Sequence, residues 1–344
     1  MIPPLPNSAS PHRFSVAPMM EWTDRHCRAF HRCMTTHARL YTEMVTAAAV
    51  INGDRKRLLG FSPVEHPVAL QIGGSDPAEL AQAAKIGADF GYDEINLNVG
   101  CPSDRVQSGS FGACLMREPD LVARGVAAMK AQVDVPVTVK CRIGVDNQVP
   151  ADILPRFAQM MRNAGADALI VHARMAWLDG LSPKQNRDVP PLDYPLVHAL
   201  KKQHPDWTIS INGGVQSIDQ ALAHLTHMDG VMMGRTAYNE PFVLADVDAR
   251  VFGAPPAYRT PHQVLDAFMP YMERELANGT RLNSMARHVV GLFHGVPGAR
   301  AFRRHLSENM HRDGADLEVI REAMQRVAPS GNDMKERAPA PAAV

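Results

Sequence analysis

Glu94-Ile95-Asn96-Leu97-Asn98-Val99-Gly100-Cys101-Pro102-Ser103 is a short strand-forming run that leads straight into an Asn-x-Gly-Cys-Pro turn. The apolar residues over 94–100 read as a buried strand, and the glycine and proline that follow end it. A cysteine held there is placed for chemistry; the plain alternative is a small buried hydrophobe, the usual role of an unpaired cysteine. What weighs for chemistry is that other strands of the chain end in the same way, and this recurrence also decides the fold.

Working outward, strands are predicted at 13–19, 38–44, 67–73, 94–100, 136–142, 168–174, 208–214 and 230–235, near-continuously apolar as parallel strands covered on both faces require. Helices lie between them. Asp76-Pro77 opens one with an N-cap and a proline in the first turn, and Glu118-Pro119-Asp120 and Ser217-Ile218-Asp219 open two more. Eight βα repeats over roughly 240 residues is the span of a TIM (β/α)8 barrel. The main alternative is a doubly wound open sheet, whose dinucleotide-binding form lacks support because no strand is followed by GxGxxG. After about residue 255 the texture changes: Ala254-Pro255-Pro256 reads as a linker, and Leu265, Phe268, Met269, Met272 and Leu276 form an apolar stripe at helical spacing. The expected organisation is an extension at 1–12, a barrel at 13–255, a smaller all-helical domain at 256–329 and a disordered Pro/Ala-rich tail at 330–344.

The 36 Lys and Arg of this 344-residue chain balance 36 Asp and Glu, so no overall charge points to nucleic acid, although a local basic patch stays open. Five cysteines with no CxxC or CxxH spacing suggest neither a disulfide framework nor a zinc site, and no metal is expected. The first residues lack the layout of a signal peptide and no apolar run is long enough to span a membrane, so a reducing cytoplasm is the expected location.

Catalytic residues of such barrels sit at the carboxyl ends of the strands. Those ends read Pro18-Met19-Met20, Glu43-Met44, Gln71, Asn98 with Cys101, Lys140 with Arg142, His172 with Arg174, Asn212-Gly213-Gly214 and Gly234-Arg235. The last two close strands seven and eight, where barrels commonly build a phosphate site, and Arg235 would add a charge-assisted bond. Lys140 is an ammonium within an apolar strand, to be compensated by a ligand anion or by an internal carboxylate such as Glu43. Gln71 and His172 are either satisfied core groups or donors to a planar heterocycle, and Cys101 would face that heterocycle as a proton donor. The small residues of 107–113 read either as a lid or as a static loop, and Cys114 as core. From Arg281 to Arg312 six arginines face a single acid, Glu308, and Arg300, Arg303 and Arg304 share a helix face. This is a solvated basic face or the footprint of a phosphate backbone.

Taken together, Ala17-Pro18-Met19-Met20-Glu21-Trp22-Thr23-Asp24, Leu70-Gln71-Ile72-Gly73-Gly74, the Asn96 to Pro102 stretch, Val139-Lys140, Val171-His172-Ala173-Arg174, Asn212-Gly213-Gly214 and Met233-Gly234-Arg235 closely resemble the tRNA-dihydrouridine synthases of the A-type subfamily. The resemblance covers the barrel and continues into Gly298-Ala299-Arg300-Ala301-Phe302-Arg303-Arg304. It implies an FMN-dependent oxidoreductase that saturates the C5–C6 bond of uridines 20 and 20a of the tRNA D-loop, with NADPH reducing the flavin. Pro18, Met19, Met20, Gln71, Lys140 and His172 would surround the isoalloxazine and ribityl portions. Asn212, Gly213, Gly214, Gly234 and Arg235 would hold the phosphate. Hydride would pass from flavin N5 to C6 and a proton from Cys101 to C5, while Asn98, Lys184, Arg187, Arg300 and Arg303 would contact tRNA. Cys141 stands where relatives are expected to carry a bulkier or hydroxyl residue, and strand alternation turns it away from Lys140. The rivals are an FMN barrel reductase acting on a small molecule, an aldolase-type lyase with Lys140 as its Schiff base, and a non-catalytic RNA-binding barrel.

Overall fold

The computed structural model describes residues 10–103, 111–258 and 260–327. Most of the amino-terminal extension, residues 107–110 of the small-residue loop and the 330–344 tail lie outside the described residues. Eight parallel strands close into a barrel: β1 (Phe14–Val16), β2 (Arg39–Tyr41), β4 (Val68–Gly73), β5 (Glu94–Val99), β6 (Val137–Arg142), β7 (Ala168–His172), β8 (Thr208–Asn212) and β9 (Gly230–Met233). Pairing of β2 with β4 completes the ring, Leu40 against Val68. A two-residue strand, β3 (Val45–Thr46), continues the β2 side along the end of β4. The last predicted strand is shorter than expected, because Arg235 opens a helix instead of continuing it.

The barrel helices are α1 (Arg25–Arg32), α2 (Ala47–Asn52), α3 (Arg55–Leu59), α4 (Pro77–Asp89), α5 (Pro119–Lys130), α6 (Pro150–Asn163), α7 (Tyr194–Gln203), α8 (Ile218–Leu225) and α9 (Arg235–Asn239). Asp76 caps α4 by accepting from the N–H groups of Ala78 and Glu79, and Ser217 caps α8 through Gln220 N–H. These are the orphan donors that a helix start must satisfy.

One expectation is corrected. The strands are not apolar on both faces. Along β5 the residues alternate, with Ile95, Leu97 and Val99 in the main core between barrel and helices and Glu94, Asn96 and Asn98 inside the barrel. The same alternation places Val137, Val139 and Cys141 of β6 outward, and Thr138 and Lys140 inward. The lumen is therefore largely polar, with a small apolar cluster of Ala17, Tyr41, Ala69, Ile170 and Met232. Gln71, Asn96, Asn98, Thr138 and Glu94 tolerate burial there because they bond to one another.

After the barrel come α10 (Pro261–Ala277), α11 (Leu282–Val289), α12 (Ala299–Asn309) and α13 (Leu317–Met324). Leu265, Phe268 and Met272 of the α10 stripe are fully buried, each worth about 1.5–3 kcal/mol of apolar burial. Phe268 packs on Phe30 of α1 with centroids 5.2 Å apart. Next to it Tyr271 Oη lies 2.8 Å from His26 Nδ1. Asp24 strengthens the same junction. It caps α1 through the N–H groups of His26 and Cys27, lies 3.0 Å from His288 Nε2, and pairs with Arg287. Burial pushes its carboxyl up, but His288, the Cys27 N–H and Arg287 outweigh that and hold it well below the usual range.

Candidate active site at the carboxyl mouth of the barrel

The strand ends converge on one cavity of about 830 Å3. Pro18, Met19, Met20, Gln71, Asn98, Cys101, Lys140, His172, Asn212, Gly213, Gly214, Gly234, Arg235 and Arg187 all line it. Of the remaining predicted residues, Lys184 is exposed on the loop between β7 and α7, and Arg300 and Arg303 lie on α12. The helix turns Ala299, Phe302, His305 and Leu306 into the core and leaves Arg300 and Arg304 exposed, with Arg303 half-buried. Arg287, read with the basic segment, is committed instead to Asp24.

The turn after β1 is fixed by reciprocal bonds between Met19 and Thr23: Met19 N–H donates to Thr23 Oγ1 (2.9 Å) and the hydroxyl returns to Met19 O (3.2 Å). Glu43 accepts from the N–H of Glu21, a residue at φ 66°, so it serves that strained turn and is not the partner of Lys140. Trp22 stacks on Tyr238 with centroids 4.4 Å apart.

Cys101 follows β5 in a turn set by Asn98, whose Oδ1 accepts from the N–H groups of Gly100 and Cys101, both at 3.0 Å. The other end of Asn98 donates to Gln71 Oε1 at 2.7 Å. Lys140 projects from the neighbouring strand. Among the described residues its ammonium makes neither a hydrogen bond nor an ion pair. Burial, then the charge of Arg142, lowers its pKa to about 8. His172 is pushed well below its ordinary value by burial and by the cations Arg142, Lys140, Arg174 and Arg235, so it stands neutral.

Arg142 is a residue whose role the strand-end reading missed. Its Nε donates to Gly100 O (3.1 Å) and its Nη1 to Met175 O (3.0 Å) and Asn186 O (2.8 Å), fastening the Cys101 turn to the loop after β7. Asn186 closes that loop on itself, accepting from Trp177 N–H and donating to Trp177 O, both at 2.8 Å.

Also lining the cavity, Gly213 and Gly214 have φ of 109° and 72°, a region side chains rarely adopt. A Cβ on Gly213 would lie 2.6 Å from His172 Cδ2, so glycine is also required by close packing. Tyr194 Oη donates to Gly213 O at 2.7 Å and holds the turn. Arg235 reaches across to Asp188 at 2.6 and 3.2 Å, a bidentate pair on the rim. Only the fold brings Asp188 beside Arg235, across 47 positions of sequence.

The cavity thus brings together the Cys101 thiol, an ammonium without a counter-charge among the described residues, two glycine turns and an arginine. An elongated ligand with a heterocycle and a phosphate fits this donor set: the ammonium lacks an anion, and the tight turns bring backbone within reach of one. Among the described residues no group of three or more His, Cys, Asp or Glu is placed to hold a metal ion, and no helix is long and apolar enough to cross a membrane.

Among solved structures the chain is similar to morphinone reductase, with a TM-score of 0.50 and 12% identity over 73% of this chain and 88% of that one. It is also similar to a 2-naphthoyl-CoA reductase, with a TM-score of 0.52 and 12% identity over 71% of this chain and 50% of that one. These likenesses support the barrel fold. Much closer in sequence are proteins named tRNA-dihydrouridine(20/20a) synthase. The one from Xanthomonas axonopodis pv. citri is 58% identical over 91% of this chain and 93% of its own. The one from Vibrio cholerae serotype O1 is 56% identical over 92% and 96%, and that of Escherichia coli strain K12 is 56% identical over 92% of each. The family model described as dihydrouridine synthase (Dus) matches residues 15–328. The chain therefore belongs to the dihydrouridine synthase family.

Proposed function

We propose that this protein is an FMN-dependent, NADPH-using oxidoreductase that reduces uridines 20 and 20a of the tRNA D-loop to dihydrouridine in the cytoplasm. The observation that carries the reading is the shared cavity, a ligand-sized space lined by the Cys101 turn, by the Lys140 ammonium, which has no partner among the described residues, and by Gly213-Gly214 and Gly234-Arg235. The hydride for uracil C6 is the chemistry that FMN, once reduced by NADPH, would supply when bound there.

The chain's own residues do the rest. Lys140, Gln71 and His172 bind and orient the heterocycle, with Pro18, Met19 and Met20 covering it. Asn212, Gly213, Gly214, Gly234 and Arg235 hold the phosphate. The Cys101 thiol gives its proton to C5, and the thiolate left behind lies near Lys140 and Arg142. Asn98 contacts the substrate beside that acid. A uridine in a folded loop must leave its stack to enter the cavity. Lys184 and Arg187 on the rim, with Arg300 and Arg303 on α12, take the phosphates around it. Residues 13–255 then form the cofactor-binding catalytic unit and 256–329 the tRNA-binding one.

The test is turnover of unmodified tRNA with NADPH after recording the visible spectrum. A flavin spectrum, dihydrouridine in the product, and a loss of about 10²–10⁴-fold in Cys101→Ala are expected. A yellow enzyme that oxidises NADPH but leaves tRNA unchanged overturns the substrate assignment. A protein that takes up no FMN overturns the cofactor assignment.

A further inference from the structure

Glu94 begins β5, seven residues before Cys101 and at the closed end of the barrel, where it is fully buried. Its Oε2 pairs with Arg39 Nη1 at 2.9 Å. Its Oε1 accepts from Tyr41 Oη (2.6 Å) and from Thr138 Oγ1 (2.5 Å). From Thr138 the bonds climb the lumen. Asn96 Nδ2 donates to Thr138 Oγ1 (2.8 Å), Gln71 Nε2 to Asn96 Oδ1 (2.7 Å), and Asn98 Nδ2 to Gln71 Oε1 (2.7 Å). Asn98 Oδ1 then takes the N–H groups of Gly100 and Cys101.

The polarity of this chain is forced. A carboxylate only accepts, so the single proton of Thr138 points to Glu94, and Thr138 can only accept from Asn96. An asparagine that turns its nitrogen to Thr138 turns its oxygen to Gln71, and the orientation passes through Gln71 to Asn98. At the top, two backbone N–H groups require that same oxygen. An amide has two nearly isosteric orientations, and only its hydrogen-bond partners choose between them. Here the partners are fixed at both ends.

We propose that Glu94 is a positioning residue for the reduction: through Thr138, Asn96 and Gln71 it sets the orientation of Asn98 and so the placement of the Cys101 turn. This rests on the reading of Cys101 as the proton donor. The plain alternative is that Glu94 serves only as the counter-charge of Arg39.

Thr138→Val separates the two, because it cuts the relay one step from Glu94 and leaves the Arg39 pair intact. Tyr41→Phe removes a bond to the same carboxylate oxygen but lies off the route to Cys101. Two readouts are taken on Glu94→Gln, Thr138→Val, their double variant and Tyr41→Phe. The first is alkylation of flavin-free protein by iodoacetamide, followed by peptide mass. The second is anaerobic reoxidation of the reduced holoenzyme by unmodified tRNA.

Expected are several-fold faster alkylation of Cys101 and about tenfold slower reoxidation in Glu94→Gln and Thr138→Val, since small misplacements of reacting groups carry large rate effects. Buried Cys27 should stay protected, the double variant should be no worse than the worse single, and Tyr41→Phe should match wild type. The inference is overturned if Thr138→Val behaves as wild type, if the two effects add, if Tyr41→Phe reproduces them, or if Cys27 opens in parallel with Cys101. Should Glu94→Gln fail to fold, Thr138→Val against Tyr41→Phe still decides. A wild-type enzyme not reoxidised by tRNA would instead sink the proposed function.

Discussion

Replacing Lys140 by methionine should stabilise the flavin-free protein while weakening its hold on FMN. Burial and the neighbouring Arg142 bring Lys140 from the ordinary lysine value of 10.5 to about 8. At 1.36 kcal/mol per unit this corresponds to roughly 3 kcal/mol of unfavourable charge burial in the folded state. The sign follows from proton counting. Between pH 8 and 10.5 the unfolded chain holds the proton more firmly than the folded one, so folding stability rises with pH across that window. Below pH 8 the full cost applies. In Lys140→Met it is gone, and the roughly isosteric thioether adds little strain. At pH 7 the flavin-free variant should therefore exceed wild type by up to about 3 kcal/mol in urea unfolding followed by circular dichroism. The advantage should fade toward pH 10.5. With Lys140 at the flavin as proposed, the order should reverse toward FMN: loss of that charge-assisted contact should cost about 1.5–3 kcal/mol, or roughly 10–100-fold in Kd by fluorescence titration. A flavin-free variant less stable than wild type at pH 7, or a difference that does not move with pH, would refute the reasoning.

Gly213→Ala combines a strained φ of 109° with a Cβ 2.6 Å from His172, so about 2–5 kcal/mol of destabilisation and poor FMN retention are expected by thermal unfolding and flavin content. Arg300→Glu with Arg303→Glu should raise KM for tRNA and flatten its dependence on salt, leaving kcat and NADPH-driven flavin reduction near wild type. Asp24→Ala removes the cap of α1 and strands buried His288, at about 2–4 kcal/mol, read as a lower Tm. The carboxyl of Asp24 is held low, so the stability it confers on wild type at neutral pH should fade only in strong acid.

The strand ends were legible because parallel strands of a barrel all point their carboxyl ends to one mouth, so residues such as Gln71, Lys140 and Asn212 could be gathered without knowing any distance. Cap signals placed α4 and α8 for a similarly local reason. What stayed hidden is pairing across the fold. Asp188 and Arg235 are 47 positions apart and meet only because two mouth loops lie side by side. Arg142 reaches three carbonyls, and a carbonyl leaves no mark on sequence. Glu43 and Lys140 looked like natural partners by charge, yet the turn at Glu21 takes Glu43. The polar lumen was present in the alternation Glu94-Ile95-Asn96-Leu97-Asn98-Val99 but was hidden by the expectation that parallel strands bury apolar groups on both faces.

The three bonds of Arg142 have a mechanical consequence. One planar cation, itself anchored in a strand, bolts the Cys101 turn and the loop carrying Lys184 and Arg187 to the same frame. The two cannot travel separately. On the proposed reading, an RNA docked on the rim by its phosphates would meet Cys101 at a preset offset, so the distance from backbone to target base would be gauged by a fixed jig.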